Sequence, residues 1–404
     1  MKDTHADLMP FREGGDLDAQ GWRLPGPGGG CAPAGRRIAP GLKRTVLFLI
    51  NGLGLGNSTR CAAVMAHLTA LDCEIHVKTS GNGIRFLKSV PSLASVTETA
   101  SFAYGKTGSR ISGWQTWKSA RAIASAYRAK DRDLDGWLKV HRPDLAVIDS
   151  EYAVSGLRRR GIPILAINNS EVVVSKYLSG KAAPMSVRSH FWGIEFADYL
   201  FHRTFCHGVL SPAPQREQTR HRRFHRIGLI VRPAVQALAD DMRSRPMPAP
   251  REVRRALFML SGSIHASHVN LTGRDWPFAV DVVGREGPSA GQITYHGKLM
   301  NNIDLLRQAD VLVINGGYSA VSEAMALNKP AFVIPVPGHA EQFVNARLME
   351  EMGRGVVTDE SRIVNHLLAC WRENRWIGMG SVQEAVEYHG AEEAANIIME
   401  FRCT

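Results

Sequence analysis

The 404-residue chain contains no run of eighteen apolar residues, so a membrane-spanning helix is not expected. Its first residues, MKDTHADLMPFREGGD, carry acids and lack an apolar stretch, which argues against a secretory signal. The six cysteines (Cys31, Cys61, Cys73, Cys206, Cys370 and Cys403) form no C-x-x-C pair and no zinc-like spacing. That scatter excludes a disulfide scaffold and predicts reduced thiols in a cytoplasmic protein. Acids are scarce in one stretch. Residues 43–232 hold 28 basic against 13 acidic side chains, net +15, whereas 1–42 are neutral and 233–404 carry −4. The formal charge of +11 therefore belongs to one half, which points to an anionic partner for that half. A hydrophobic content of 44% excludes disorder for the bulk of the chain, and the length predicts two domains.

Residues 1–42, rich in Gly and Pro, read as a disordered extension. Periodic structure then begins with RTVLFLI (44–50), an apolar run typical of a buried parallel strand. A glycine loop (51–60), a helix (61–72) and the strand EIHVKTS (74–80) follow, the opening of a doubly wound sheet. A long helical region (112–141), strands PDLAVIDSE (143–151) and IPILAINN (162–169), and RIGLIVRP (226–233) complete a domain over 43–235. Prolines and weak periodicity mark 236–252 as a linker. A second α/β series occupies 253–376, and 377–404 read as a helical segment able to pack back on the first domain. The predicted architecture is α/β, two Rossmann-like domains with parallel sheets facing a cleft.

The chemistry concentrates in INGGYSAVSEAMALNKP, where Gly316 and Gly317 separate a strand from a helix. Glycines there admit a close ligand, and the free N–H groups of the helix start, at Tyr318 and Ser319, favour a phosphate. Glu323 lies one turn beyond Ser319 on the same face, where a carboxylate could accept two ribose hydroxyls. The next strand ends in PVPGHAEQFVNA, setting His339, Glu341 and Gln342 at another helix start on the sheet's carboxyl edge.

The segment 296–355 resembles the donor half of GT-B glycosyltransferases, and most of all the group containing the bacterial N-acetylglucosaminyltransferase of peptidoglycan lipid assembly. RIGLIVRPAV, PDLAVIDSEYAVS and the N-terminal glycine loop (Gly54, Gly56, Arg60) are also similar to those proteins. The resemblance implies that Gly316, Gly317, Tyr318 and Ser319 hold a diphosphate, that Glu323 holds the ribose, and that Glu341 and Gln342, with His339 beside them, read the donor sugar. It further implies that Ser261 and Gly262 form a second phosphate-side loop, that His296 helps enclose the base, and that Gly54, Gly56 and Arg60 lie on the acceptor side.

Two departures bear on mechanism. Where many of these proteins have a histidine base after the glycine loop, this chain has Asn57, which cannot take a proton. Asp149 and Glu151, ending a strand at the cleft, are the substitute candidates. The paired glutamates of many retaining enzymes are absent, since Asn315 stands eight before Glu323. An inverting displacement is expected. D-x-D at 131–135 lies in a helical stretch and reads as a solvated face, so neither a metal nor a cofactor beyond the nucleotide-sugar co-substrate, uridine-linked by expectation, is predicted. The acceptor partner is expected to be an anionic small molecule or a lipid phosphate, because 202–226 hold six Arg and four His. HFWGIEFADYLF (190–201) suits either core or a membrane surface, and its aromatics among arginines also admit nucleic acid, with less support. Hydrolysis of a nucleotide sugar, or its binding without turnover, remains open beside transfer.

Overall fold

The computed structural model describes residues 43–52, 54–100, 106–107, 110–111, 120–180, 183–244, 252–260, 269–299, 301–375 and 385–401. The first sheet is built from β1 (Thr45–Ile50), β2 (Glu74–Thr79), β3 (Ser95–Glu98), β4 (Leu145–Asp149), β5 (Ile164–Ile167), β6 (Gly208–Pro212) and β7 (Phe224–Ile227). Their order is β3-β2-β1-β4-β5-β6-β7, parallel throughout. The second sheet contains β8 (Arg255–Met259), β9 (Ala279–Val283), β10 (Ile293–Tyr295), β11 (Val311–Asn315), β12 (Ala331–Ile334) and β13 (Gly355–Val357), in the order β10-β9-β8-β11-β12-β13, again parallel. Parallel strands need helical crossovers on both faces, so the central strands are unbroken apolar runs, as in LFLI of β1 and VLVI of β11.

Helices α1 (Leu55–Ala70), α2 (Asn82–Leu87), α3 (Ala120–Val140), α4 (Ser155–Arg159), α5 (Ser170–Ser179), α6 (Met185–His190) and α7 (Phe196–Phe205) belong to the first domain. A π-helical turn, Phe191–Glu195, joins α6 to α7. The second domain carries α8 (Pro233–Ser244), α9 (Ile303–Gln308), α10 (Tyr318–Ala326), α11 (Ala340–Glu351) and α12 (Ile363–Arg372). The last helix, α13 (Gly390–Glu400), returns to the first domain. Its Ala391, Ala394, Ala395 and Ile398 share a core with Val64, Met65 and Leu68 of α1. The Arg44 guanidinium donates to the carbonyls of Met399 and Phe401, fixing the helix end. No described helix is long and apolar enough to cross a membrane.

Three details differ from the expectation. The helix after β1 starts at Leu55, so Gly56 and Asn57 are in its first turn and not in a loop. Weak helix formers cost little there, because first-turn N–H groups lack intrahelical partners. The first sheet's last strand ends at Ile227, and 228–232 cross irregularly to the second domain. The stretch read as a linker, 236–252, is helical through Ser244 in a helix that begins at Pro233, and Val235, Leu238 and Ala239 of that helix are buried in the second domain's core; a three-residue apolar stripe in a polar sequence gives little periodic signal.

Candidate active site

The carboxyl edges of the two sheets face each other across a cavity of about 410 Å³. Three helix N-termini converge on it. The start of α1 brings Gly54, Gly56, Asn57 and Arg60; the start of α10 brings Gly317, Tyr318 and Ser319; the start of α11 brings His339, Glu341 and Gln342. The starts of α1 and α10 offer first-turn N–H groups and the positive end of a helix dipole to negative charge, whereas the α11 start already donates its Ala340 N–H to His190 Nδ1.

The two loop glycines have different surroundings. A Cβ on Gly316 would lie 2.5 Å from the Gln342 carbonyl oxygen, so Gly316 lets the α10 and α11 starts touch. The Asn345 amide donates to the Gly316 carbonyl at 3.1 Å and fixes that contact. A Cβ on Gly317 would meet nothing within 4 Å, which leaves space for a ligand at the head of α10. Directly opposite is Gly56, whose added Cβ would lie 3.3 Å from Ser319 Oγ.

Arg60 joins the walls of the cavity. Its Nε and Nη2 reach the Asp149 carboxylate at 2.9 and 2.6 Å, and its guanidinium lies 5.0 Å from the Tyr318 ring centroid. Burial opposes that charge, but Asp149 outweighs it and holds the guanidinium protonated. The Tyr318 hydroxyl, pushed up by burial, accepts the Ile230 N–H at 3.0 Å. Asn57 donates to the Asn51 carbonyl at 3.3 Å.

Asp149 and Glu151 are not presented to the cavity, which corrects their expected role. Asp149 is fully buried in the bidentate pair with Arg60. Glu151 is buried against Lys130 and accepts the Tyr152 N–H at 3.0 Å. The two do share a parity, but Ser150 and Tyr152, with the opposite parity, line the cavity. Ser150 takes a left-handed φ of 52° at the turn.

Glu323 is one turn deeper than Ser319 and does not line the cavity. Arg232 grips its carboxylate through Nε at 2.6 Å and Nη2 at 2.8 Å. His296 lies beyond the cavity too, its Nε2 2.7 Å from Asp281. Ser261 and Gly262 lie outside the described residues. Glu341 accepts the Asn169 amide at 3.2 Å from across the cleft, and Gln342 accepts the Val336 N–H at 3.0 Å.

Sequence reasoning passed over a group contributed by the first domain: Asn168 and Asn169 after β5, His190, Glu195 and Asp198. The asparagine pair closing IPILAINN at a carboxyl edge was a visible signal. The other three were hidden, because an α-helical count separates residues 190 and 195, whereas i→i+5 bonding adds a residue to the turn and brings them into register. His190 Nδ1 and Glu195 Oε1 are 3.5 Å apart, and the His190 and His339 rings are 4.8 Å apart. Burial lowers His190 to about 3, so its ring is neutral, and the Ala340 N–H donates to its Nδ1 at 3.4 Å.

A glycosyl transferase family 1 model matches residues 44–207 and 223–371, most of both domains. The chain belongs to that family. An uncharacterised glycosyltransferase of Methanosarcina acetivorans is 23% identical over 359 residues, covering 81% of this chain and 89% of the relative. A Bifidobacterium longum UDP-N-acetylglucosamine–N-acetylmuramyl-(pentapeptide) pyrophosphoryl-undecaprenol N-acetylglucosamine transferase is 30% identical over 173 residues, 33% of this chain and 44% of its own. Among solved structures, the Streptomyces glycosyltransferase SsfS6, complexed with thymidine diphosphate, superposes with a TM-score of 0.55 at 15% identity, covering 89% of this chain and all of the other. The chain is thus a glycosyltransferase with the GT-B fold, and its cavity lies where the two Rossmann-like domains meet.

Proposed function

We propose that this glycosyltransferase moves a sugar from a uridine-linked donor to an anionic acceptor, by a single inverting displacement that uses no metal. The observation that carries the reading is the head of α10: two glycines, one holding α11 and one left open, put the first turn of that helix at the wall of a cavity that the first domain also lines. A diphosphate there gains N–H bonds and a helix dipole, which also stabilise it as a leaving group. Glu341 and Gln342, at the neighbouring helix start, are placed to bond sugar hydroxyls. The thymidine diphosphate of one solved structure and the UDP-N-acetylglucosamine of one relative support a nucleotide-sugar donor.

For the acceptor, the surface beside the cavity favours a lipid-linked anion. Phe191 and Tyr199 are core, but Trp192, on the same π-helical turn as the cavity residue Glu195, is 54% exposed, and Leu200 is exposed as well. Exposed arginines such as Arg188 and Arg203 accompany them. An aromatic and apolar edge flanked by cations suits a lipid phosphate surface.

Thermal unfolding with UDP, UDP-N-acetylglucosamine, UDP-glucose and thymidine diphosphate tests the donor. A ligand at 100 times its Kd stabilises by about 2.7 kcal/mol. A panel in which no nucleotide raises the Tm would overturn the reading.

A further inference from the structure

The reaction needs a group that takes the acceptor's proton, and the three residues named from sequence are unsuited to it. Asn57 has no basic atom, Asp149 is locked to Arg60, and Glu151 is locked to Lys130. Among the described residues, three carboxylates line the cavity instead: Asp198, Glu341 and Glu195.

Their hydrogen bonds separate them. Asp198 already accepts the Tyr152 hydroxyl at 2.7 Å and the Asn168 amide at 3.0 Å, with His202 Nδ1 at 3.3 Å. Burial raises the Glu341 carboxyl as well, but it accepts from Asn169 and has the Arg60 charge in range, and both of these favour its anion. Glu195 has less support: a backbone N–H of Glu341, and a neutral His190 that is no counter-ion. The titratable groups facing it are His190 from α6, Asp198 from α7, and His339 and Glu341 from α11, while α5 adds Tyr177 against Phe191. Among the described residues no lysine joins them, and Arg60 of α1, which lines the cavity, is paired with Asp149. Burial first, then the Glu341 and Asp198 charges, push the Glu195 carboxyl well above its ordinary range. A carboxylate so placed is a far stronger base than a solvated one.

We propose that Glu195, set into the cavity by the π-helical turn, is the general base of the transfer; the inference rests on the glycosyltransferase reading above. The acceptor hydroxyl oxygen bonds to the anomeric carbon as the bond from that carbon to the diphosphate oxygen breaks. The hydroxyl proton passes to the Glu195 carboxylate, and the breaking bond's electron pair leaves on the diphosphate, held by the α10 amides. Water, the smallest hydroxyl, reaches the same place, so the wild type hydrolyses its donor slowly when no acceptor is present.

The test follows release of free sugar from UDP-N-acetylglucosamine, UDP-glucose and thymidine-diphosphate glucose with enzyme in excess, for wild type, Glu195→Gln and Glu195→Asp. Thermal shift with UDP runs alongside, to show that each variant is folded and binds. The expected result is a wild-type rate that rises with pH through the raised carboxyl value. Glu195→Gln should lose about 100-fold or more of that rate, since a positioned base contributes 10²–10⁴. Its UDP shift should be unchanged and its rising limb abolished, with part of the rate and the limb recovered in Glu195→Asp. Wild-type rate or an intact limb in Glu195→Gln would overturn the proposal, as would a nucleotide-stabilised wild type that hydrolyses none of the donors. A chain that no nucleotide stabilises would instead overturn the donor reading itself.

Discussion

At the residue scale, adjacent glycines separate architecture from binding. Gly316→Ala drives a Cβ into the Gln342 carbonyl and should cost roughly 1–3 kcal/mol in urea unfolding. Gly317 has an ordinary φ of −66° and open space, so Gly317→Ala should leave stability within about 0.5 kcal/mol while removing most of the UDP-induced Tm rise. Arg60→Ala leaves Asp149 buried and uncompensated, and about 3–5 kcal/mol of stability should be lost. Glu195 makes a pH-dependent prediction. Its folded value is raised, so above the ordinary value the native state binds more protons than the unfolded chain, and stability falls as pH rises toward the folded value. Glu195→Gln removes that loss, so its Tm advantage over wild type should grow from pH 5 to pH 8. The glycine pair and the E-Q pair were legible because strand–glycine–helix junctions are local patterns. The fates of Asp149 and Glu323 were not, because their partners, Arg60 and Arg232, lie 89 and 91 positions away in sequence.

At the scale of elements, the buried strands β1, β2, β4, β5, β8, β9, β11 and β12 were legible as apolar runs between helical periods, whereas β3, β6, β10 and β13 were not. The π-helical turn was not. HFWGIEFADYLF reads as a regular amphipathic helix, and only the inserted residue turns Glu195 toward the cavity and Trp192 toward solvent. That turn therefore gives one segment a catalytic side and a surface side. The surface side predicts that the protein sediments with phosphatidylglycerol vesicles. Trp192→Ala combined with Leu200→Ala should weaken that association about tenfold, the equivalent of 1.4 kcal/mol, with the UDP-induced Tm rise intact.

At the scale of the molecule, the excess positive charge sits in the domain that contributes α1, the asparagine pair and the π-helical turn. Part of it is spent internally, in Arg60–Asp149, Arg226–Glu171 and the pairing of Arg159 and Arg160 with Asp135. Arg203, Arg220 and Arg222 stay exposed on the same domain. The last helix has a mechanical consequence. The chain passes between domains at 228–232 and again just before α13, and the two crossings are stitched together: the Leu229 N–H donates to the Glu387 carbonyl at 2.7 Å, and the Gly390 N–H to the Leu229 carbonyl at 3.1 Å. Gly228 and Gly390 pack so tightly that a Cβ on Gly390 would fall 1.8 Å from the Gly228 oxygen. A single strand would let the domains swivel in any direction. Two crossings bound side by side restrict such swivelling, and that restriction favours one register between the walls that carry Gly56 and Gly317.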